Sequence, residues 1–163
     1  MLAETAAADV ILREALALDE CRWDDWLALF AEDCVFWVPA WRSESELTDD
    51  PDREISFIHH DSRAGLAERV ARLRTEQSVI TMPMPRTSHL VGLPVFGPST
   101  SELVRTTSPF VTHVYHPATG KMSVACGRYE HELRRIGDGW CIARKKIILV
   151  NDRVPGLLEY FCV

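Results

Sequence analysis

No stretch of this 163-residue chain is apolar for long enough to cross a membrane. The first twenty residues carry Glu4, Asp9, Arg13, Glu14, Asp19 and Glu20, so they do not read as a secretory leader, and a cytoplasmic protein is the default expectation. A basic excess is also missing. The net charge is −6, which argues against a nucleic-acid partner, because a phosphate backbone calls for a positive face. No glycine-rich loop of the phosphate-cradling kind is present. Five cysteines are present (Cys21, Cys34, Cys126, Cys141 and Cys162), but no two have C-x-x-C spacing, so they read as reduced, mostly buried thiols rather than a zinc or redox site. Internal repeats and low-complexity tracts are lacking too.

What remains is an ordinary globular balance, 47% apolar and 26% charged. The length fits one domain, residues 1–163, and a chain of this size buries roughly 70% of its unfolded surface, enough for a core without disulfides or metals. Val10, Ile11, Leu12, Ala15, Leu16 and Leu18 form a helical stripe, which predicts a first helix over 5–19. Trp23, Trp26, Leu27 and Phe30 recur at i, i+3, i+4 and i+7 and predict a short second helix. Cys34 to Val38 is an apolar run stopped by Pro39, a buried strand. Residues 43–54 are acidic and polar with a central proline and read as an exposed loop. A short strand follows at 55–58. A third helix, capped by Asp61 or Ser62 and running to about Thr75, puts Leu66, Val70 and Leu73 inward.

The second half is strand-rich, with runs near 86–96, 101–115, 121–135 and 140–150 separated by short turn signals at 97–99, 116–120 and 137–139. Such turns join antiparallel neighbours. In the first run, alternation places Thr87, His89, Val91, Leu93 and Val95 on one face and Ser88, Leu90 and Gly92 on the other. Helices first and a strand meander afterwards predicts an α+β fold, with N-terminal helices packed on one face of a curved antiparallel sheet.

Several segments resemble one family across nearly the whole chain. They are Trp23-Asp-Asp-Trp-Leu-Ala-Leu-Phe30 with Asp33 and Trp37-Val-Pro39, the Arg-rich helix Arg69-Val-Ala-Arg72-Leu-Arg74-Thr75, the motif Pro83-Met-Pro-Arg86-Thr87-Ser-His89-Leu90, and the close Lys145-Lys-Ile-Ile-Leu-Val-Asn151-Asp152 followed by Pro155. Together they resemble the small (beta) subunit of Rieske-type aromatic-ring-hydroxylating dioxygenases. Pro-Met-Pro-Arg and the acidic loop look closest to the subunits serving aromatic carboxylate oxygenases of the anthranilate, benzoate and salicylate type. The resemblance implies a cone-shaped, cystatin-like/ketosteroid-isomerase-like fold, shared with scytalone dehydratase. It also implies a structural small subunit with no catalytic centre and no cofactor of its own. The Rieske [2Fe–2S] cluster and the mononuclear Fe(II) belong, on this reading, to a large (alpha) subunit. Three large and three small chains assemble, and a reductase, with or without a ferredoxin, delivers electrons from NADH.

The C-x-H and C-x-x-H pairs of a Rieske cluster are absent. No histidine pair and acid have the spacing of a facial iron site: His59 and His60 are adjacent and diverge in a strand, as do His113 and His116. The alternative is a stand-alone isomerase, dehydratase or cyclase working inside the cone. Asp61 and His89 are its candidate acid–base residues, with Asp33, His113 and Tyr129 in the same general region. A ligand-binding module without chemistry is a third reading. Arg63, Arg69, Arg72, Arg74 and Arg86 read either as a solvated helix face paired with Glu68 and Glu76 or as subunit contacts, for which Arg69, Arg72, Arg74 and Arg86 are the candidates.

Overall fold

A computed structural model of the chain describes residues 3–75, 83–153 and 158–163. Helix α1 (Ala3–Asp19) and the short α2 (Trp23–Ala28) lead into strand β1 (Phe30–Pro39). After β2 (Ser56–His60) comes α3 (Arg63–Arg74), and then β3 (Arg86–Val91), β4 (Val95–Phe96), β5 (Leu103–His116), β6 (Lys121–Ile136) and β7 (Gly139–Leu149). A 3-10 turn, Tyr160–Cys162, closes the described chain. The strands form one open, curved sheet in the order β2-β1-β7-β6-β5-β3, with β4 also on β5.

The α+β expectation holds, with one correction to the sheet. β5, β6 and β7 are successive antiparallel hairpins, but β1 runs parallel to β7, so the sheet is mixed rather than wholly antiparallel. Short turns dictate antiparallel pairing only between sequential strands. β1 and β7 lie at opposite ends of the chain, and no turn constrains their relative direction.

Helix α1 ends in a Schellman motif: the Arg22 N–H donates to the Ala17 carbonyl at 2.8 Å and the Cys21 N–H to that of Leu18 at 3.1 Å. The motif forces Cys21 to a φ of 53°, a left-handed value that glycine would adopt without strain. The turn matters because it directs Asp19 and the following chain onto the sheet. In α2, Phe30 leaves the helical stripe and opens β1. Its ring still packs on Trp26 at 5.0 Å, so the pattern reported burial correctly and extent wrongly. Ser62, not Asp61, caps α3 by accepting from the Gly65 N–H, and Leu66 and Val70 are its buried residues.

The His-bearing strand is shorter than its alternation suggests. Thr87, His89 and Val91 do turn inward, but β3 stops at Val91, and Leu93 and Val95 are 91% and 71% exposed. Gly92 and Pro94 break the run, and Pro94 has no N–H to give a ladder. On β6, a Cβ at Gly127 would fall 1.9 Å from the Ile148 carbonyl oxygen, so only glycine lets β7 approach there. The acidic loop is exposed yet ordered. Arg42 holds Asp49 and Glu54, and the Trp41 indole donates to the Leu149 carbonyl at 2.7 Å. Glu54 is pulled down to about 2, first by the Asp49 and Asp50 N–H groups and then by Arg42.

Replacing Cys21 with glycine should remove the left-handed strain and stabilise the protein by about 1 kcal/mol. An unchanged or lower urea midpoint for Cys21→Gly would show that the turn carries no strain.

Candidate functional site: the concave interior

Three strands supply the inner wall. On β5 the inward positions are Thr106, Ser108, Phe110, Thr112 and Val114, all buried. On β6 they include Tyr129, His131 and Leu133, and on β7 Lys145, Ile147 and Leu149. Register lines these residues up across the sheet: Thr106 faces His131, which faces Lys145, which faces Phe36 of β1. Helix α1 packs over this wall against β3, β5 and β7.

Glu14 of α1 meets the wall in a fully buried ion pair, with Lys145 Nζ 2.8 and 2.7 Å from its two carboxylate oxygens. The Trp26 indole also donates to Glu14, at 2.9 Å. Burial alone would raise the Glu14 carboxyl, but the Lys145 charge and the hydrogen bonds from Lys145 and Trp26 bring it below its ordinary value. Lys145 is lowered by burial, with Glu14 opposing. The two effects favour opposite protonation states, and the geometry decides between them: three hydrogen bonds from two donor groups onto one carboxylate describe an anion paired with an ammonium. Lys145 Nζ also lies 4.2 Å from the centre of the Tyr129 ring. His131 is pushed down to about 3, first by burial and then by the Lys145 charge, so its ring is neutral.

A second cluster sits at the C-terminal end of α1. Asp19 accepts from the Thr87 hydroxyl at 2.8 Å and from the His89 N–H at 2.9 Å, and its Oδ1 lies 2.6 Å from His89 Nδ1. Burial raises Asp19, but the His89 bonds, and then the Thr87 bond, lower it overall. A carboxylate at a helix C-terminus opposes the helix dipole, so these bonds are what hold it there. The His89 side chain is 1% exposed, and its Nε2 has no partner among the described residues.

The sequence-predicted candidates divide sharply. His89 and Tyr129 are inside. Asp61 is not: it lies exposed in the turn before α3, and the carboxylate beside His89 is Asp19. Asp33 is exposed and paired with Arg134, and His113 lies on the outer sheet face beside Ser88 and Val124. His60 is half-buried and lowered by that burial, while His59 packs edge-on against Trp37. Of the arginines, Arg69 reaches Glu159 at 3.9 Å and Arg74 reaches Asp24 at 2.9 Å, so both have partners within the chain. Arg63 binds the Phe30 carbonyl and Glu32, each at 3.2 Å. Arg72 is exposed, and Arg86 lies over the Tyr115 ring on the outer face. Glu76 and Pro155 lie outside the described residues.

Sequence reasoning missed Glu14, Asp19, His131 and Lys145. A signal existed for three of them. Glu14 interrupts the stripe Val10, Ile11, Ala15, Leu18, and His131 and Lys145 alternate with apolar inward residues. A charged residue on an apolar face needs a buried partner of opposite sign. Among the described residues, no group of three His, Cys, Asp or Glu side chains is placed to hold a metal, and no helix is long and apolar enough to cross a membrane.

The class these features define is a cone of α+β type, with helices over a curved, open sheet and a buried polar wall inside. At the level of fold alone, a protein from Novosphingobium aromaticivorans, provisionally described as a scytalone dehydratase, shares it at 12% identity, with a TM-score of 0.70 over 95% of this chain and 90% of that one. Residues 13–156 match the family model described as ring hydroxylating beta subunit, and the chain belongs to that family. It is 33% identical to the toluate 1,2-dioxygenase subunit beta of Pseudomonas putida, over 97% of this chain and 96% of that one. It also superposes on the beta subunit of the benzoate 1,2-dioxygenase of Burkholderia mallei with a TM-score of 0.79 and 28% identity, covering 96% and 95% of the two chains. The protein is therefore a small subunit of a ring-hydroxylating dioxygenase, one part of an oxidoreductase complex.

The buried pair should be unforgiving of half measures. Glu14→Gln should cost about 3–5 kcal/mol by stranding Lys145, whereas replacing both Glu14 and Lys145 with leucine and methionine should cost far less. Equal losses in chemical denaturation would show that Lys145 finds another partner.

The neutral His131 sets a pH dependence. Its folded value of about 3 lies below the ordinary 6.5, so the unfolded state binds the extra proton between those limits. Stability from His131 is complete above pH 6.5 and is lost as pH falls toward 3, at about 1.4 kcal/mol per unit. The carboxylates Glu14 and Asp19, with ordinary values of 4.5 and 3.8, add little to this slope above about pH 5.5, and below that their contribution is the same in parent and variant. His60 contributes in the same direction, so the informative comparison is with His131→Leu, which should flatten the slope of unfolding free energy between pH 6.5 and 5 by about one proton.

Proposed function

We propose that this chain is the non-catalytic, structural small subunit of a terminal oxygenase that hydroxylates an aromatic carboxylate, supporting breakdown of that compound in the cytoplasm. The large subunit holds the Rieske [2Fe–2S] cluster and the mononuclear Fe(II). Three large and three small chains assemble, and a reductase, directly or through a ferredoxin, brings electrons from NADH. The carboxylate class rests on the toluate and benzoate relatives, and residues 1–163 act as one domain in this assembly. No residue of this chain is assigned a catalytic role, since the carboxylate of the alternative pair, Asp61, points to solvent and away from any acid–base work inside the cone.

The observation that carries the assembly role is the outer face of the sheet. Over β1 and β7, Trp37 and Trp41 occupy that face, with Arg144 and Lys146 lying over the Trp37 ring. Over β3, β5 and β6 it is bare. Register sets Leu90 beside Val111 and Cys126, Ser88 beside His113 and Val124, and Arg86 beside Tyr115 and Met122. Leu90, Met122 and Val124 are 58%, 61% and 43% exposed. An apolar patch rimmed by an arginine stacked on a tyrosine has the composition of a protein interface rather than of a solvated face. Among the arginine candidates this favours Arg86. Reversing Arg69 or Arg74 would also break a pair inside the chain, so those variants read assembly less cleanly.

Co-expression with a large subunit from a benzoate- or toluate-type oxygenase tests the proposal. The two chains should co-elute in size-exclusion chromatography, and Leu90→Asp or Arg86→Glu should weaken assembly by about 2 kcal/mol or more, roughly 30-fold. A small chain that elutes alone as a monomer, or variants that assemble as the parent does, would remove the support for this reading.

A further inference from the structure

The outer face of the sheet has an ionic half that lies beyond the apolar patch. Register sets Arg105, Glu132 and Arg144 in one row across β5, β6 and β7, and Thr107, Glu130 and Lys146 in the next. With the turn at Gly97 and Pro98 these rows enclose an open hollow of about 390 Å³. Both carboxylates are taken, Glu132 by Arg105 at 3.0 Å and Glu130 by Arg128 of its own strand at 3.3 Å. Arg144 and Lys146 are left over. Each faces a carboxylate that is already paired and lies instead over the Trp37 ring, 5.9 and 4.8 Å from its centre. Neither makes an ion pair among the described residues. Arg105, Arg128, Arg144 and Lys146 against Glu130 and Glu132 leave two positive charges in excess, a basic island on a chain whose net charge is −6.

The opposite charge is concentrated in one place. The loop after β1 carries Glu44, Glu46, Asp49, Asp50, Asp52 and Glu54, with only Arg42 and Arg53 beside them. Arg42 holds Asp49 and Glu54, and Arg53 lies 3.6 Å from Asp50. Glu44 and Asp52 are exposed, and their carboxylates have no partner among the described residues. The Thr48 N–H on the Ala40 carbonyl at 2.9 Å, the Trp41 indole on Leu149 and the Arg42 pairs give the loop a fixed shape. Both halves are therefore built before any contact forms, so little ordering of the chain opposes their meeting. Within one chain they do not meet, since no ion pair joins Arg144 or Lys146 to a loop acid among the described residues.

We propose that the island around Arg144 and Lys146 receives the acidic loop of a second copy of this chain, with Glu44 and Asp52 as the incoming carboxylates. The contact is heterologous, the island of one copy on the loop of the next. Contacts of this kind propagate until they close a ring, and a ring is what three small chains in one oxygenase require. The inference rests on the assembly reading for that number alone. It also divides the outer face by partner: the ionic half meets another small chain, and the apolar half around Leu90 is left for the large subunit.

The test uses the purified full chain and its complex with a co-expressed large subunit. In sedimentation velocity the small chain should self-associate reversibly at low salt, and less as salt rises. Glu44→Lys with Asp52→Lys breaks no pair inside the chain and should weaken association at least about tenfold, as should Arg144→Glu with Lys146→Glu. All four changes in one chain exchange the charges of the two surfaces and should restore association, which a mere loss of structure would not do. A carbodiimide joins a lysine amine to a carboxylate in direct contact. In a mixture of heavy-isotope-labelled and unlabelled chains it should link Lys146 of one copy to the loop of another. A chain that stays monomeric at low salt, reversals without effect, or a fourfold variant that fails to recover would overturn the proposal. So would links confined to one chain, or Lys146 linked to the large subunit instead. If large and small chains co-elute but the charge exchange changes nothing, this inference fails and the assembly reading stands. If the small chain self-associates as described but meets no large subunit, the reverse holds.

Discussion

The fold hangs on a single ion pair that water does not reach. Glu14 comes from the first helix and Lys145 from the last strand, 131 residues apart, and their contact fixes how α1 lies across the sheet. A buried pair of this kind is a poor source of net stability, because desolvating two charges offsets most of their attraction. What it supplies is position. An apolar helix face can slide or rotate on an apolar wall at little cost, but Glu14 has one place where an ammonium and an indole N–H wait together. Everything else at the concave face inherits that placement, including the angle at which α1 ends and where Asp19 falls.

From there the geometry runs outward in order. The Schellman turn at Cys21 stops α1 so that its last residue, Asp19, reaches β3, and the Asp19 carboxylate then holds the backbone and the side chain of His89 together. Two acidic residues of one helix thus pin two strands, interior β7 through Lys145 and edge strand β3 through His89. Curvature between these anchors requires β6 and β7 to come close at Gly127, where no side chain is tolerated. The result is a sheet with two unlike faces. The inner one is buried and carries polar groups on β5, β6 and β7. The outer one carries charged pairs such as Arg105–Glu132 and Arg128–Glu130 and, over β3, β5 and β6, the exposed apolar side chains of Leu90, Met122 and Val124.

Much of this was legible in the chain, for definite reasons. Helix and strand periods depend on burial, and burial is strong along α1, β5, β6 and β7, so those elements were read with small errors at their ends. The motif around Arg86, Thr87 and His89 identified the family because it encodes the β3 anchor itself. Three things were hidden. The parallel β1–β7 pairing joins distant strands, and no local pattern records direction. Asp61 is nearer to His89 in sequence, but helix packing brings Asp19 to it from 70 residues away. The bulge at β6–β7, where Glu132 pairs with Arg144 but Leu133 with Ile142, is a backbone event with no side-chain signature.

The polar interior is the part of the molecule that an assembly role leaves unexplained. A subunit needed only for its outer face would be served by an apolar core, since each buried and unpaired hydroxyl or imidazole is a standing cost. Here the costs are concentrated. Thr106, Ser108, Tyr129 and His131 occupy facing inward positions of β5 and β6 beside the buried Glu14–Lys145 pair, and Thr112 lies further along β5 past Phe110. Random drift toward polarity would scatter such residues over the inner face. The group formed by Thr106, Ser108, Tyr129 and His131 lies beside the Glu14–Lys145 pair that places α1. Replacing that pair whole with apolar side chains would keep α1 packed on the sheet, so what the polarity supplies is the register of the helix rather than net stability.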